Sequence, residues 1–212
     1  MLEAVEIGHK FDTWLYQDLH LEAKAGESIA LLGVSGSGKS SLLNHLSTML
    51  KPLHGKVRLL EHSDIYALPL KALLELRRHL LGIIFQAHYL FRGFNALENL
   101  QVASILSKKP IEMELLETLG IAHTLKQQIG ELSGGQQQRL SIARVLTKQP
   151  KIIFADEPTG NLDTSTALAV MQAMHNYIQA QQGVLVLATH DEKIARGCSR
   201  IFLLENQRLR PL

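Results

Sequence analysis

Short apolar runs bounded by turn residues recur along the chain and read as buried strands. Ser28–Leu32 runs straight into Gly33, residues 56–60 follow a Pro-Leu-His-Gly turn, and residues 81–85 form a third run. Residues 151–155 begin after Pro150 and residues 184–188 after Gly183; residues 200–204 close the series ahead of a short polar tail. Helical patterns lie between these runs. Residues 39–50 continue from the first glycine-rich loop and stop before Pro52. Residues 165–181 set Ala167, Val170, Met171, Met174 and Ile178 on one face, as core packing, and end before Gly183. Strands alternating with helices predict an α/β fold with a mainly parallel sheet and helices on both faces.

The segment 87–139 breaks this rhythm. It contains no good strand and reads as helices over 94–106, 111–119 and 121–128. We expect a helical subdomain inserted at 87–139 into a single domain spanning 1–212. A further helical pattern, LSIARVLTK, follows the stretch LSGGQQQR.

Composition narrows the picture. A chain of 212 residues with 46% hydrophobic content can bury a sizeable core. A balance of 22 basic against 20 acidic residues gives no reason to expect nucleic acid as a partner. The pairs Arg77-Arg78 and Lys108-Lys109 read as solvated helix faces. One cysteine, Cys198, excludes an internal disulfide, and the histidines fall into no ligand motif for a metal site. The start of the chain, MLEAVEIGHKF, is charged at once and is not a signal peptide. The apolar runs are far shorter than the roughly 20 residues of a membrane span, so a soluble chain is expected, with any membrane role supplied by a partner.

Gly33 to Ser40 matches G-x-x-x-x-G-K-[ST] between a strand and a helix, the context that makes this motif a phosphate loop rather than a chance Gly/Ser turn. Its glycines, Gly33, Gly36 and Gly38, let backbone N–H groups wrap phosphates, and Ser35, Ser37 and Ser41 belong to the same cradle. Lys39 is placed to bridge the β- and γ-phosphates, and Ser40 to ligate Mg²⁺. The run IIFADE ends a strand in two acids: Asp156 for the Mg²⁺ shell and Glu157 as general base for a hydrolytic water. Gln86 and His190 each follow an apolar run, where a glutamine can sense Mg²⁺ and the attacking water and a histidine can meet the γ-phosphate. Alone, either would be an ordinary loop residue. LSGGQQQR is a second glycine-rich stretch ahead of a helix, hence a second anion site, which one nucleotide in one chain does not need.

In the order phosphate loop, Gln86, LSGGQ, Asp156-Glu157, Asp163 and His190, the set resembles the nucleotide-binding subunit of ABC transporters over nearly the whole chain. The resemblance implies a P-loop NTPase core with a small N-terminal antiparallel β part, ATP and Mg²⁺ as cofactors, and ATP hydrolysis coupled to transport or mechanical work. It implies two copies meeting head to tail around two ATPs. Ser133, Gly134, Gly135 and Gln136 then touch the partner copy's γ-phosphate, and Asp163 couples the two sites. Phe11 matches the aromatic residue that stacks on adenine ahead of the first strands, with Trp14 and simple core packing as alternatives. It implies an integral-membrane permease docked against residues 88–100, and a cytoplasmic location on the inner face of the membrane through that permease.

The phrases FQAHYL, ALENL and DEPTGNLD are similar to the branch of lipoprotein-releasing, macrolide-efflux and cell-division ATPases; import ATPases for polar solutes are also similar. A soluble ABC ATPase of chromosomes or ribosomes is the main alternative. It would bring long coiled coils between phosphate loop and signature, or two cassettes in one chain, and neither pattern is present. A kinase or GTPase sharing only the phosphate loop leaves LSGGQQQR and His190 unexplained. With the last strand this near residue 212, no appended regulatory domain is expected.

Overall fold

A computed structural model describes residues Met1–Leu212. In chain order the strands are β1 (Leu2–Lys10), β2 (Trp14–Ala23), β3 (Ser28–Leu32), β4 (His54–Leu59), β5 (Leu81–Ile84), β6 (Ile152–Asp156), β7 (Val184–Thr189), β8 (Arg200–Glu205) and β9 (Arg208–Pro211). The helices are α1 (Lys39–Leu46), α2 (Leu70–His79), α3 (Ala96–Ser107), α4 (Met113–Thr118), α5 (Gly134–Thr147), α6 (Thr164–Gln181) and α7 (Glu192–Ala195). No helix is long and apolar enough to cross a membrane.

The strands form two sheets. The larger runs β5-β6-β7-β3-β8-β9, parallel except for β9, which pairs antiparallel to β8. Its central strands are covered on both faces, which is why β3 and β7 are buried at every position and read as continuous apolar runs. Side chains alternate across the sheet. Ile152, Phe154, Val184 and Val186 enter one core with α1, α2 and the smaller sheet; Ile153, Ala155, Leu185 and Leu187 enter a second with α3, α5 and α6.

The smaller sheet, β2-β1-β4, is antiparallel throughout and interrupted by register shifts. It takes in residues 56–59 of the run 56–60 that the sequence assigns to the parallel set; here β4 pairs with β1, and Leu60 turns left-handed beyond it. The polar tail beyond residue 204 contains β9, which is held by backbone pairing to β8.

Two helix boundaries differ from expectation for identifiable reasons. The helix expected over 39–50 stops at Leu46, because Thr48 turns left-handed (φ 73°) and the amides of Met49 and Leu50 both return to Asn44 O. The helix expected over 121–128 is a single 3₁₀ turn at Ala122–Thr124. The amides of Thr124 and Gln127 donate only three residues back, to Ile121 O and Thr124 O, and the Thr124 hydroxyl also occupies Ile121 O (2.7 Å); beyond the turn, Leu125 O and Gln127 O accept from Leu97 N and Ala96 N at the start of α3.

Candidate active site

The carboxyl ends of neighbouring strands converge where an open α/β sheet binds its ligand. Gly33 follows β3, Gln86 lies two residues beyond β5, Asp156 ends β6 and His190 follows β7. Register brings these tips together: Asp156 pairs with Ala188, two residues before His190, and Leu32 pairs with Thr189, which sets Gly33 beside His190. Together these tips wall a cleft of about 790 Å³ lined mostly by polar residues.

The floor is the phosphate loop. Gly36 and Gly38 adopt left-handed backbone (φ 79° and 101°), and Gly38 is the N-cap of α1. No side chain caps that helix and no acid occupies its first turn, so its leading N–H groups remain available for an anion. Lys39 is 7% exposed; its ammonium donates to the carbonyls of Gly33 (2.8 Å) and Val34 (2.9 Å), stretched along the loop. Ser35, Gly36, Gly38, Lys39, Ser40 and Ser41 all face the cleft. Gly33 and Ser37 do not. They pack behind it, where a Cβ on Gly33 would fall 2.7 Å from both Leu204 O and Ser37 Oγ.

Ser40, Gln86 and Asp156 meet in this same cleft. Burial pushes the Asp156 carboxyl above its ordinary value, while the Ser40 hydroxyl pulls it down, Glu157 pushes it up and Lys39 pulls it down. A desolvated carboxylate beside a hydroxyl and an amide oxygen is a hard-oxygen donor set, and it fits Mg²⁺.

Glu157 sits in left-handed backbone (φ 46°), its amide donating to Ala188 O at 2.9 Å. Its carboxylate is 14% exposed and faces β7, where His190 meets Oε1 through Nδ1 (2.7 Å) and its backbone N–H (3.0 Å). Thr189 Oγ1 lies 3.1 Å from Oε2. Glu157 and His190 thus face the cleft as a contacting carboxylate–imidazole pair.

The signature residues stand apart. Ser133, Gly134, Gly135 and Gln136 do not line this cleft. Ser133 caps α5: its hydroxyl accepts from Gln136 N (3.2 Å) while Gln136 Oε1 accepts from Ser133 N (2.8 Å). Asp163 caps α6, accepting from Thr166 N (3.0 Å), Thr166 Oγ1 (2.6 Å) and Ser165 Oγ (2.5 Å), and these bonds hold its carboxyl far below the carboxylate range. Phe11 lies in the β1–β2 turn, not ahead of the first strands, and at 62% exposure it forms the rim of the cleft. Trp14 instead stacks on His54 at 6.0 Å, outside the lining.

Sequence reasoning missed Leu15, Val34, Gly160 and Asn161, which also line the cleft. Asn161 could have been found, since it sits in the GNLD phrase beside the acids. Leu15 carries no signal of its own.

Three comparisons bear on this site. The family model described as "ABC transporter" matches residues 16–160. The chain belongs to the ABC transporter ATPase family. Among curated relatives, the lipoprotein-releasing system ATP-binding protein LolD 2 of Caulobacter vibrioides is 39% identical, covering 98% of this chain and 93% of its own. LolD of Geobacter metallireducens is 40% identical, covering 90% of this chain and 87% of its own. Among solved structures, the dimeric post-hydrolysis state of the ATP-binding cassette MJ0796 bound to ADP and Pi superposes with a TM-score of 0.91 at 29% identity, covering 100% of this chain and 98% of that one. The ABC cassette described here is thus an ATP-binding, ATP-hydrolysing subunit of a membrane transporter, and its phrases FQAHYL, ALENL and DEPTGNLD point to the branch in which these relatives fall.

Proposed function

We propose that this cassette powers a membrane complex of the lipoprotein-releasing kind and works as a head-to-tail pair of copies. The observation that carries the pairing is the one-sided cleft. Lys39 and the α1 amides face it from below, while the N-terminus of α5 with Ser133 to Gln136 lies outside it. A second copy turned about a two-fold axis supplies the missing wall, and the second glycine-rich loop then serves the neighbour's nucleotide. Asp163, at the N-cap of α6, would then couple the two sites. A solved relative with this fold is itself described as dimeric.

Within each site, Ser40, Asp156 and Gln86 would hold Mg²⁺, which neutralises charge on the phosphates when bound. Lys39 binds the β- and γ-phosphates, Phe11 stacks on the base, Glu157 takes the proton of the attacking water, and His190 faces the γ-phosphate.

The permease supplies the membrane. The expected docking segment borders a groove between α2, β5, α3 and α5, lined by Leu74, Phe85, Tyr89, Phe91 and Leu106 with Arg77, Arg144 and Lys148 among them. Phe94 lies beyond the lining but packs on Phe91 at 5.7 Å between ring centres. Tyr89 is 67% exposed and Phe91 48%, apolar surface that a solitary soluble chain has little reason to show. Arg144 ties the groove to the site by donating to His88 O (3.1 Å) and Tyr89 O (2.8 Å) of the loop that begins at Gln86. The cassette accordingly sits on the cytoplasmic face of the membrane through the permease. Phe91→Asp should abolish co-purification of the permease in detergent while leaving the basal ATPase within about twofold. A permease that still co-purifies removes the groove from the account.

A further inference from the structure

Glu157 has three donors, and they differ in permanence. The His190 imidazole is 73% exposed and lines the cleft, so it is free to turn toward a bound nucleotide, and Oε1 then loses its 2.7 Å contact. Thr189 cannot leave. It is 1% exposed, is the last residue of β7, and is locked in register against Leu32. Its hydroxyl is also oriented. Asp191 N donates to Thr189 Oγ1 at 3.1 Å, which fills an acceptor position and leaves the single hydroxyl proton for Glu157 Oε2 at 3.1 Å. Asp191 is fixed in turn as the N-cap of α7, accepting from Lys193 N (2.8 Å) and Ile194 N (3.4 Å).

We propose that Thr189 is a positioning residue for hydrolysis: its buried hydroxyl anchors Oε2 of Glu157, so that the carboxylate keeps its aim at the water when His190 swings to the nucleotide. Glu157 needs this anchor because the hydrogen bond from its amide to Ala188 O fixes only the backbone, in a left-handed conformation just past β6, and Thr189 Oγ1 is the donor that holds Oε2 of the side chain. Oε1 then serves as the free proton acceptor, with the His190 backbone N–H as its remaining partner. A general base displaced by a fraction of an ångström loses rate without losing substrate. The signature of this role is therefore a fall in kcat at constant nucleotide affinity. The inference rests on the reading of Glu157 as the base.

The test uses the full chain, in steady-state ATPase assays with a nucleotide-binding measurement alongside. Thr189→Val removes the donor and keeps the shape; Thr189→Ala removes the donor and leaves room, which covers the case in which valine disturbs folding. Both should lower kcat about tenfold, the scale of one hydrogen bond to a charged group, with KM and ATP affinity unchanged within about twofold. Thr189→Ser should restore kcat to within about twofold of the parent. In a Glu157→Gln background, adding Thr189→Val should change the residual rate less than about twofold, because the two side chains act as one unit. Wild-type kcat in the valine and alanine variants overturns the proposal. So does a serine variant as slow as valine, which would make shape the cause, or a full tenfold further loss in the glutamine background. Substantial turnover in Glu157→Gln alone would instead sink the assignment of Glu157 as base, and the two failures are thereby told apart.

Discussion

Two glycines of the phosphate loop, Gly36 and Gly38, separate a conformational requirement from a steric one. Both are left-handed, so alanine at either costs about 1–2 kcal/mol in backbone energy. Alanine also loses less chain entropy on folding than glycine, a gain equal at the two positions, which cancels in the comparison. Their surroundings differ. A Cβ on Gly36 meets nothing within 4 Å, whereas on Gly38 it lies 3.1 Å from Tyr16 Cε1. Tyr16 is fully buried and cannot withdraw, so the extra methyl is overpacked and adds about 1–3 kcal/mol. For a chain of this size about 1 kcal/mol moves the melting temperature by about 3 °C. Gly38→Ala should therefore melt about 3–9 °C below Gly36→Ala. ATP affinity gives an independent readout. The Gly36 methyl points into the open cleft where phosphates bind, so Gly36→Ala should lose ATP affinity at little further cost in stability. Thermal unfolding followed by circular dichroism, paired with equilibrium nucleotide binding, measures both quantities. Equal melting temperatures, or a lower one for Gly36→Ala, would refute the packing of Tyr16 against the loop.

Phe11→Ala should raise KM for ATP about fivefold, the worth of one aromatic stack of about 1 kcal/mol, while Trp14→Ala leaves it unchanged; the reverse pattern would give the stacking role to Trp14. His45, fully buried on α1, is held down to about 4 by burial, against the Leu50 carbonyl that its Nδ1 meets at 2.7 Å and with the neighbouring His9 adding to the lowering. The unfolded chain takes up this proton first, so stability present above about pH 6.5 is lost as pH falls toward 4, amounting to about 2 kcal/mol between pH 7 and pH 5. His45→Asn, whose amide can still meet Leu50 O, should show a melting temperature less sensitive to pH over that interval by about 4–8 °C, and an unchanged pH dependence would contradict the assignment.

The parts of the molecule legible in the sequence are those where one interaction dominates. β3, β6 and β7 are buried on both faces, so their apolar runs could be nothing else. β1 and β2 gave no such signal: β2 alternates buried with exposed positions, and the pair is broken by register shifts, so no clean period survives. β9 is a strand chiefly through backbone pairing to β8, with Leu209 as its one side chain packed on the core. The 3₁₀ turn at Ala122–Thr124 was hidden because it is set by bonds three residues back and by the Thr124 hydroxyl on Ile121 O, with the chain beyond it turned to serve α3, none of which an apolar pattern records. In the site, residue types with fixed chemistry at fixed spacing were readable, as Lys39, Asp156 and Glu157 show. The placement of Gly33 and Ser37 behind the cleft, and the anchoring contact of Thr189, depend on how loops fold back on strands and could not be read from spacing.

The central claim is that each nucleotide is gripped by the phosphate loop of one copy and the LSGGQ loop of the other. Mixed dimers of a Lys39→Ala chain and a Ser133→Arg chain, differently tagged and doubly purified, test it most directly. Working in trans, both lesions fall in one site and the second site keeps a normal Lys39 and a normal Ser133; working in cis, each site carries one lesion. Nucleotide occlusion is the readout, because turnover can require both sites. The account predicts about one occluded ATP per mixed dimer and almost none in either mutant homodimer. A mixed dimer that assembles and occludes no ATP would contradict it.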